Sequence, residues 1–172
     1  MAEQILSKWD SQELGAYALA VLRIVFGFML IWAFFDKLFG LGMQTTPEAA
    51  IINGGSPTEY YLTELVSGVF SNFFHSLAGN PILDFLLMAG LLVIGIALLA
   101  GFVSKLATIG MCVMMFLMYL LSVPPSDNPL VDYHIAYIIA MIAICLLGGF
   151  DKLSINGWWN HLGIVQRFQI LQ

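Results

Sequence analysis

Four stretches of this chain are apolar for long enough to cross a bilayer, and nothing else in the sequence limits the fold as much. A hydrocarbon core about 30 Å thick needs about 20 residues of helix at about 1.5 Å each. The stretches run from about Ala16 to Phe35, Ile82 to Phe102, Leu106 to Val123 and Tyr133 to Gly149. Composition agrees, with 60% hydrophobic residues, only 10% charged and a mean hydropathy of +0.89. Soluble domains carry about 25% charged residues, so this chain lacks the polar surface to cover itself in water. The expected fold is all-α, an integral membrane four-helix bundle in a single domain over 1–172.

The opening residues MAEQILSKWDSQEL are polar and mixed in charge, and no short apolar run with a cleavage site follows them, so no cleaved signal peptide is expected. Lysine and arginine placement sets the orientation. With the N-terminus in the cytoplasm, Lys8, Lys105, Lys152 and Arg167 lie inside and only Lys37 outside. Both termini are therefore expected on the cytoplasmic side of the cell membrane. The acidic residues Asp36, Glu48, Glu59, Glu64, Asp84, Asp127 and Asp132 lean outward, in agreement.

The connection between spans one and two is long and patterned. Ser56-Pro57-Thr58-Glu59 reads as a capping box with proline in the first turn. Leu62, Leu65, Val66, Val69, Phe73 and Leu77 then recur at helical spacing until Gly79-Asn80-Pro81, while Glu64, Ser67, Ser71 and Asn72 fill the other face. This predicts an amphipathic helix over 57–78 lying across the outer mouth of the bundle. At the other end Trp158, Trp159, His161 and Arg167 suit an interfacial segment over 154–172. Gly90, Gly95, Gly101, Ala136, Ala140 and Ala143 are small residues that allow close helix contact. Met111, Met114, Met115 and Met118 read as flexible packing. Cys112 and Cys145 both fall in apolar segments without a CxxC or Cys/His cluster, so no metal centre is expected. No nucleotide-binding glycine pattern and no nucleic-acid partner are expected.

Each ionisable group in a span needs an explanation, because insertion costs about 2.5–3.5 kcal/mol at mid-membrane. Arg23 lies about 10 Å deep from the inner end of its helix, and Asp151 is its expected partner, reached by snorkelling. The other reading of Arg23 is an inner-leaflet pocket for an anionic headgroup. At the outer level Asp36 and Lys37 end span one, Asp84 starts span two, Asp132 and His134 open span four, and His75 lies on the amphipathic helix. Such a layer can move protons or hold a polar headgroup. A quinone site needs donors to two carbonyls and a proton path, which a histidine beside a carboxylate can supply. The plain alternative pairs Lys37 with Asp84 and leaves His134 as a helix cap. Haem ligation by His75 and His134 is a third possibility.

Taken in order, these segments resemble the DoxX-like membrane family, and in particular the DoxD branch, the large subunit of thiosulfate:quinone oxidoreductase. "LRIVFGFMLIWAFFDKLFG" is similar to the family's first span, with Arg23, Gly27 and Lys37 in register. "INGGSPTEYYL" and "FFHSLAGNP" resemble a loop of that branch, "ILDFLLMAGLLVIGIALLAGFVSKLA" its second span with Asp84 at the acidic position, and "NPLVDYHIAYIIA" and "GGFDKL" the opening and close of its fourth. The resemblance implies a four-helix bundle and electron transfer from thiosulfate to a membrane quinone in a respiratory chain. On that basis His134, Asp84, Lys37 and Asp132 are the candidate catalytic residues, and His134, Lys37 and His75 the candidate quinone contacts. Since the chain carries no motif for flavin, iron–sulfur or covalent haem, electrons pass directly to quinone or come from a partner subunit. The competing reading is a non-catalytic anchor or stabilising subunit of a larger redox complex, or a homo-oligomer. Solute transport is weaker, for lack of a broken helix or inverted repeat.

Overall fold

The computed structural model of the chain describes residues 10–66, 68–126 and 128–172. Lys8, Ser67 and Asp127, which enter the charge and face arguments above, lie outside the described residues. Four helices carry the fold: α1 (Ser11–Phe39), α2 (Pro81–Ala100), α3 (Ser104–Leu121) and α4 (Tyr133–Leu146). α1 starts where the Asp10 side chain accepts the Gln12 N–H and ends at Gly40, whose φ of 66° closes the last turn onto Asp36. α2 begins with Asn80 as cap and Pro81 in the first turn, and ends at Gly101 with φ 69°. α4 starts at Asp132, whose side chain accepts the His134 and Ile135 N–H groups.

Of these helices α1, α2 and α3 are long and apolar enough to cross a membrane, which makes the chain a multi-pass helical membrane protein. α4 has 14 residues, about 21 Å of helix. It stops three residues short of the expected Gly149 because Gly148 adopts φ 83° and the Gly149 N–H bonds back to the Ile144 carbonyl.

The helices touch in a ring: α1 on α2, α2 on α3, α3 on α4 and α4 on α1, with α1–α2 the most extensive face. Phe26, Leu30, Met88, Leu91, Leu98, Met111, Met115, Met141 and Ile144 fill the middle. Met111 and Met115 thus serve as core packing. The α1–α2 face is close because glycines line it. A Cβ on Gly27 would stand 2.6 Å from the Leu99 backbone nitrogen, and one on Gly95 would stand 2.9 Å from the Ile31 side chain. Gly90 meets Met114 across α2–α3 in the same manner. Ala140 packs on the core, whereas Ala136 is exposed.

Gly15 is the opposite case, an exposed residue in the second turn of α1 with open space where a Cβ would go. Gly15→Ala should therefore stabilise the protein by about 0.5–1 kcal/mol through lost freedom of the unfolded chain. A thermal melt in detergent should show a small rise in Tm; a fall would mean that this face of α1 has a contact the fold does not reveal.

The expected continuous helix over 57–78 is not what forms. A short turn follows Ser56, a π-helical turn covers Tyr61–Leu65, Val66 is extended, and a separate short helix spans Ser71–His75. The start was legible, since the Ser56 hydroxyl accepts the Glu59 N–H at 3.1 Å. The break has a tertiary cause. Val69 N–H donates to the Val123 carbonyl at 2.9 Å, and Gly68 approaches that carbonyl so closely that a Cβ would lie 2.2 Å from it. The segment is stitched to the end of α3 at the point where a helix would have kept its N–H groups to itself.

The chain after α4 likewise folds as short turns, Asn156–Trp159, Gly163–Arg167 and Gln169–Leu171, beneath the α2–α3 connection. The Ile155 N–H donates to the Ala100 carbonyl, the Trp159 indole meets the Phe102 ring edge to face with centroids 4.9 Å apart, and its N–H donates to the Leu171 carbonyl. Trp159 is thus a packing residue, while Trp158 is exposed.

Candidate ligand cleft and buried polar groups

The polar residues expected in one outer layer fall into separate sets. The first surrounds Asp84 in the opening turn of α2. Its Oδ1 accepts the Ser56 hydroxyl at 3.0 Å, the Thr58 N–H at 3.1 Å and the Thr58 hydroxyl at 2.6 Å. One carboxylate oxygen therefore fixes the 56–58 turn over the head of α2. Oδ2 takes no partner among the described residues and is not sealed from solvent. Beside it lies an open cleft of about 300 Å³, walled by Phe34 and Leu38 of α1, Phe85 and Met88 of α2, and Ile51 and Pro57 of the loop. Asp84 is the charged group in this otherwise apolar lining.

The second set is Asp36 with Lys37. Asp36 is 2% exposed and turns inward to a loop, accepting the Met43 and Gln44 N–H groups at 3.1 Å each, with the Thr45 hydroxyl as a further donor. Lys37 is half-buried, and no ion pair within 4.0 Å or hydrogen bond holds its amine among the described residues. The expected pairing of Lys37 with Asp84 does not form, and it is Oδ1 of Asp84 that Ser56 and Thr58 engage.

The third set lies at the α3–α4 edge. His134 is 6% exposed and its Nδ1 is 2.7 Å from Asp132 Oδ2, which also accepts the Ser122 hydroxyl at 3.1 Å. Asp132 Oδ1 meanwhile caps α4. Burial pushes the Asp132 carboxyl up, but the His134 hydrogen bond and charge and the Ser122 hydroxyl outweigh it and hold the group below its ordinary value. A carboxylate depressed in this way contributes stability above its ordinary titration range, and that contribution is lost as pH falls through its folded value.

His75 places its Nε2 2.9 Å from the Val66 carbonyl, where it secures the break in the 61–75 segment. Among the described residues no three His, Cys, Asp or Glu side chains gather as a metal site. Cys112 and Cys145 are free, half-buried thiols.

At the opposite end of the bundle, Arg23 has no exposed surface, and its partners are carbonyls. Nε donates to Gly149 at 3.0 Å, Nη1 to Leu98 at 2.8 Å, and Nη2 to Lys152 at 3.2 Å and Leu153 at 2.7 Å. The Phe150 ring covers the guanidinium at 5.2 Å. No ion pair within 4.0 Å joins Arg23 to Asp151, so the expected pair gives way to backbone. The reason is that the last carbonyls of α2 and the turns after α4 have no helical partners, and they carry the negative end of the helix dipole. Gly101 makes room for this arrangement: a Cβ there would lie 1.9 Å from Nη1. Lys152 turns outward, pairing with Glu13 at 3.0 Å and lying over the Tyr17 ring.

Ser122 and Phe150 are neighbours of these groups that carry no local signal in the sequence, whereas Ser56 and Thr58 lie in the capping box and Gly101 ends an apolar run. No family model, curated protein or solved structure matches this chain.

Proposed function

We propose that the chain is a membrane subunit that receives a membrane quinol or quinone in the cleft beside Asp84, as the DoxD-like resemblance implies, with electrons supplied or taken by a partner. One observation carries the reading: a single carboxylate oxygen without a partner stands in an otherwise apolar cleft of about 300 Å³. Apolar walls with one placed polar group describe a site for an amphipathic ring. Phe34, Phe85 and Met88 offer faces for the ring, and Asp84 Oδ2 accepts a hydrogen bond from a ring hydroxyl. An acceptor fits the hydroxyl-bearing quinol better than the quinone. When bound, the quinone supplies two-electron, two-proton chemistry; the chain's own groups bind and orient it. In this reading α4 and the turns after it make a fourth crossing, the 40–80 segment faces outward, and both termini are cytoplasmic.

Titration of the purified protein in nanodiscs with a short-chain quinol and its quinone tests this. The quinol should bind more tightly, Asp84→Asn should weaken it about tenfold, which is about 1.4 kcal/mol, and Leu38→Trp should block it by filling the cleft. Equal binding by wild type and Leu38→Trp would place any quinone elsewhere.

A second reading, the non-catalytic anchor, is favoured by a specific observation. Lys37, Asp84 and His134 are held in separate sets, and His134 is not among the cleft residues. Absence of binding by the wild type in the same titration would establish the anchor over the cleft reading.

A further inference from the structure

We propose that the Asp132–His134 pair is a proton-exchange site at the α3–α4 edge, separate from the Asp84 cleft, with His134 Nε2 as the atom that takes up and releases the proton. The cleft is built on α1 and α2, whereas Asp132 and His134 open α4 and are tied through Ser122 to the end of α3. The inference therefore stands whether or not the cleft binds a quinol.

The chemistry follows from which atoms are already engaged. A carboxylate accepts hydrogen bonds, so the 2.7 Å contact places a proton on Nδ1. Deprotonated Nε2 is then the basic atom of the neutral ring. It has no partner among the described residues, yet it is not sealed off, although the residue as a whole is 6% exposed. A cap alone would need only the Asp132 Oδ1 bonds to the His134 and Ile135 N–H groups. The second oxygen is spent on orienting an imidazole and is itself steadied by the Ser122 hydroxyl at 3.1 Å. Tyr133 lies over the imidazole with ring centres 4.1 Å apart. Orientation by a carboxylate, a steadied carboxylate and a free second nitrogen together describe a positioned base.

The balance is simple. A proton passes from water, or from an acidic hydroxyl brought to this edge, onto Nε2. Nδ1–H stays with Asp132, the ring becomes an imidazolium against a carboxylate, and the reverse step returns the proton. The groups that face the pair are Asp132, Tyr133 and Tyr137 of α4, Ser122 of α3, and Tyr61 of the π-helical turn, which lies near enough to Tyr133 to be electrostatically coupled. Tyr119 of α3 is committed to the Leu130 carbonyl at 2.7 Å. No lysine or arginine forms an ion pair with Asp132 among the described residues, so the imidazole becomes its counter-charge only on taking up a second proton.

Nitrogen-15 spectra of the histidine-labelled full chain in micelles provide the test, with His134 assigned by His134→Gln. The expected result has the neutral ring protonated on Nδ1, and an Nε2 signal that responds reversibly to bulk pH. Asp132→Asn should release the ring from that tautomer, while Ser122→Ala should keep it. Should Asp132→Asn fail to fold, carbethoxylation of the wild type decides: His134 should be modified on Nε2, reversibly by hydroxylamine. A proton found on Nε2 in the neutral ring, or a signal indifferent to bulk pH, would reduce the pair to a structural hydrogen bond and overturn the proposal.

Discussion

Arg23→Met should cost the folded protein about 4 kcal/mol or more, the largest loss expected from any single side chain here. Methionine fills much of the same volume but donates nothing, so the carbonyls of Leu98, Gly149, Lys152 and Leu153 lose their partner together. Each buried acceptor left unsatisfied costs about 1–3 kcal/mol, and water entering from the near end recovers part of the sum. Arg23→Lys should recover little, because an ammonium cannot span carbonyls that a planar fork reaches from separate nitrogens. Asp151→Asn should leave stability within about 0.5 kcal/mol of wild type, as expected of an exposed residue away from such features. Thermal unfolding in detergent reads all three variants. An Arg23→Met protein within about 1 kcal/mol of wild type would show that net hydrogen bonding to those carbonyls contributes little.

Gly27→Val should be nearly as damaging for a different reason. Its Cβ would meet the Leu99 backbone nitrogen at 2.6 Å and the Gly95 carbonyl at 3.0 Å, and neither atom can step aside as a side chain can. The helices must separate, and overpacking of this kind costs about 1–3 kcal/mol, with a backbone collision at the upper end. Gly95→Ala should be milder, since what it meets first is the flexible end of Ile31 at 2.9 Å. Unfolding by increasing mole fraction of sodium dodecyl sulfate should rank the variants in that order. A Gly27→Val protein as stable as Gly95→Ala would show that the α1–α2 face is slack.

Where the sequence was read well, a local signal sufficed. Asn80-Pro81 starts α2, Asp132 starts α4, and hydropathy locates α1, α2 and α3 to within five residues at each end. Where it was read badly, the deciding partner was distant. The spacing of Leu62, Val66, Val69, Phe73 and Leu77 is helical, but it carries no trace of the Val123 carbonyl that captures Val69 and excludes a side chain at Gly68. Charge counting sent Arg23 to Asp151 because carbonyls at helix ends are written nowhere in a sequence. The candidate site divides along the same line. Asp84 and His134 were legible as polar groups at helix heads, whereas their attachment to different partners, Ser56 and Thr58 for one and Asp132 and Ser122 for the other, belongs to tertiary structure.

The four helices differ greatly in length, and a bilayer must respond to that. α1 has 29 residues and α4 has 14, about 44 Å and 21 Å of helix at 1.5 Å per residue. Taken as a crossing helix, α4 is about 9 Å shorter than a typical hydrocarbon core, while α1 exceeds the core and must tilt or project from it. Hydrophobic mismatch costs fractions of a kcal/mol per Å, and lipid beside a short helix relieves it by thinning. A bilayer crossed by both helices would be lopsided, thick against α1 and drawn in against α4. The thinning would centre on α4, at whose head His134 sits, and would bring water and headgroups toward that imidazole without any channel through the protein.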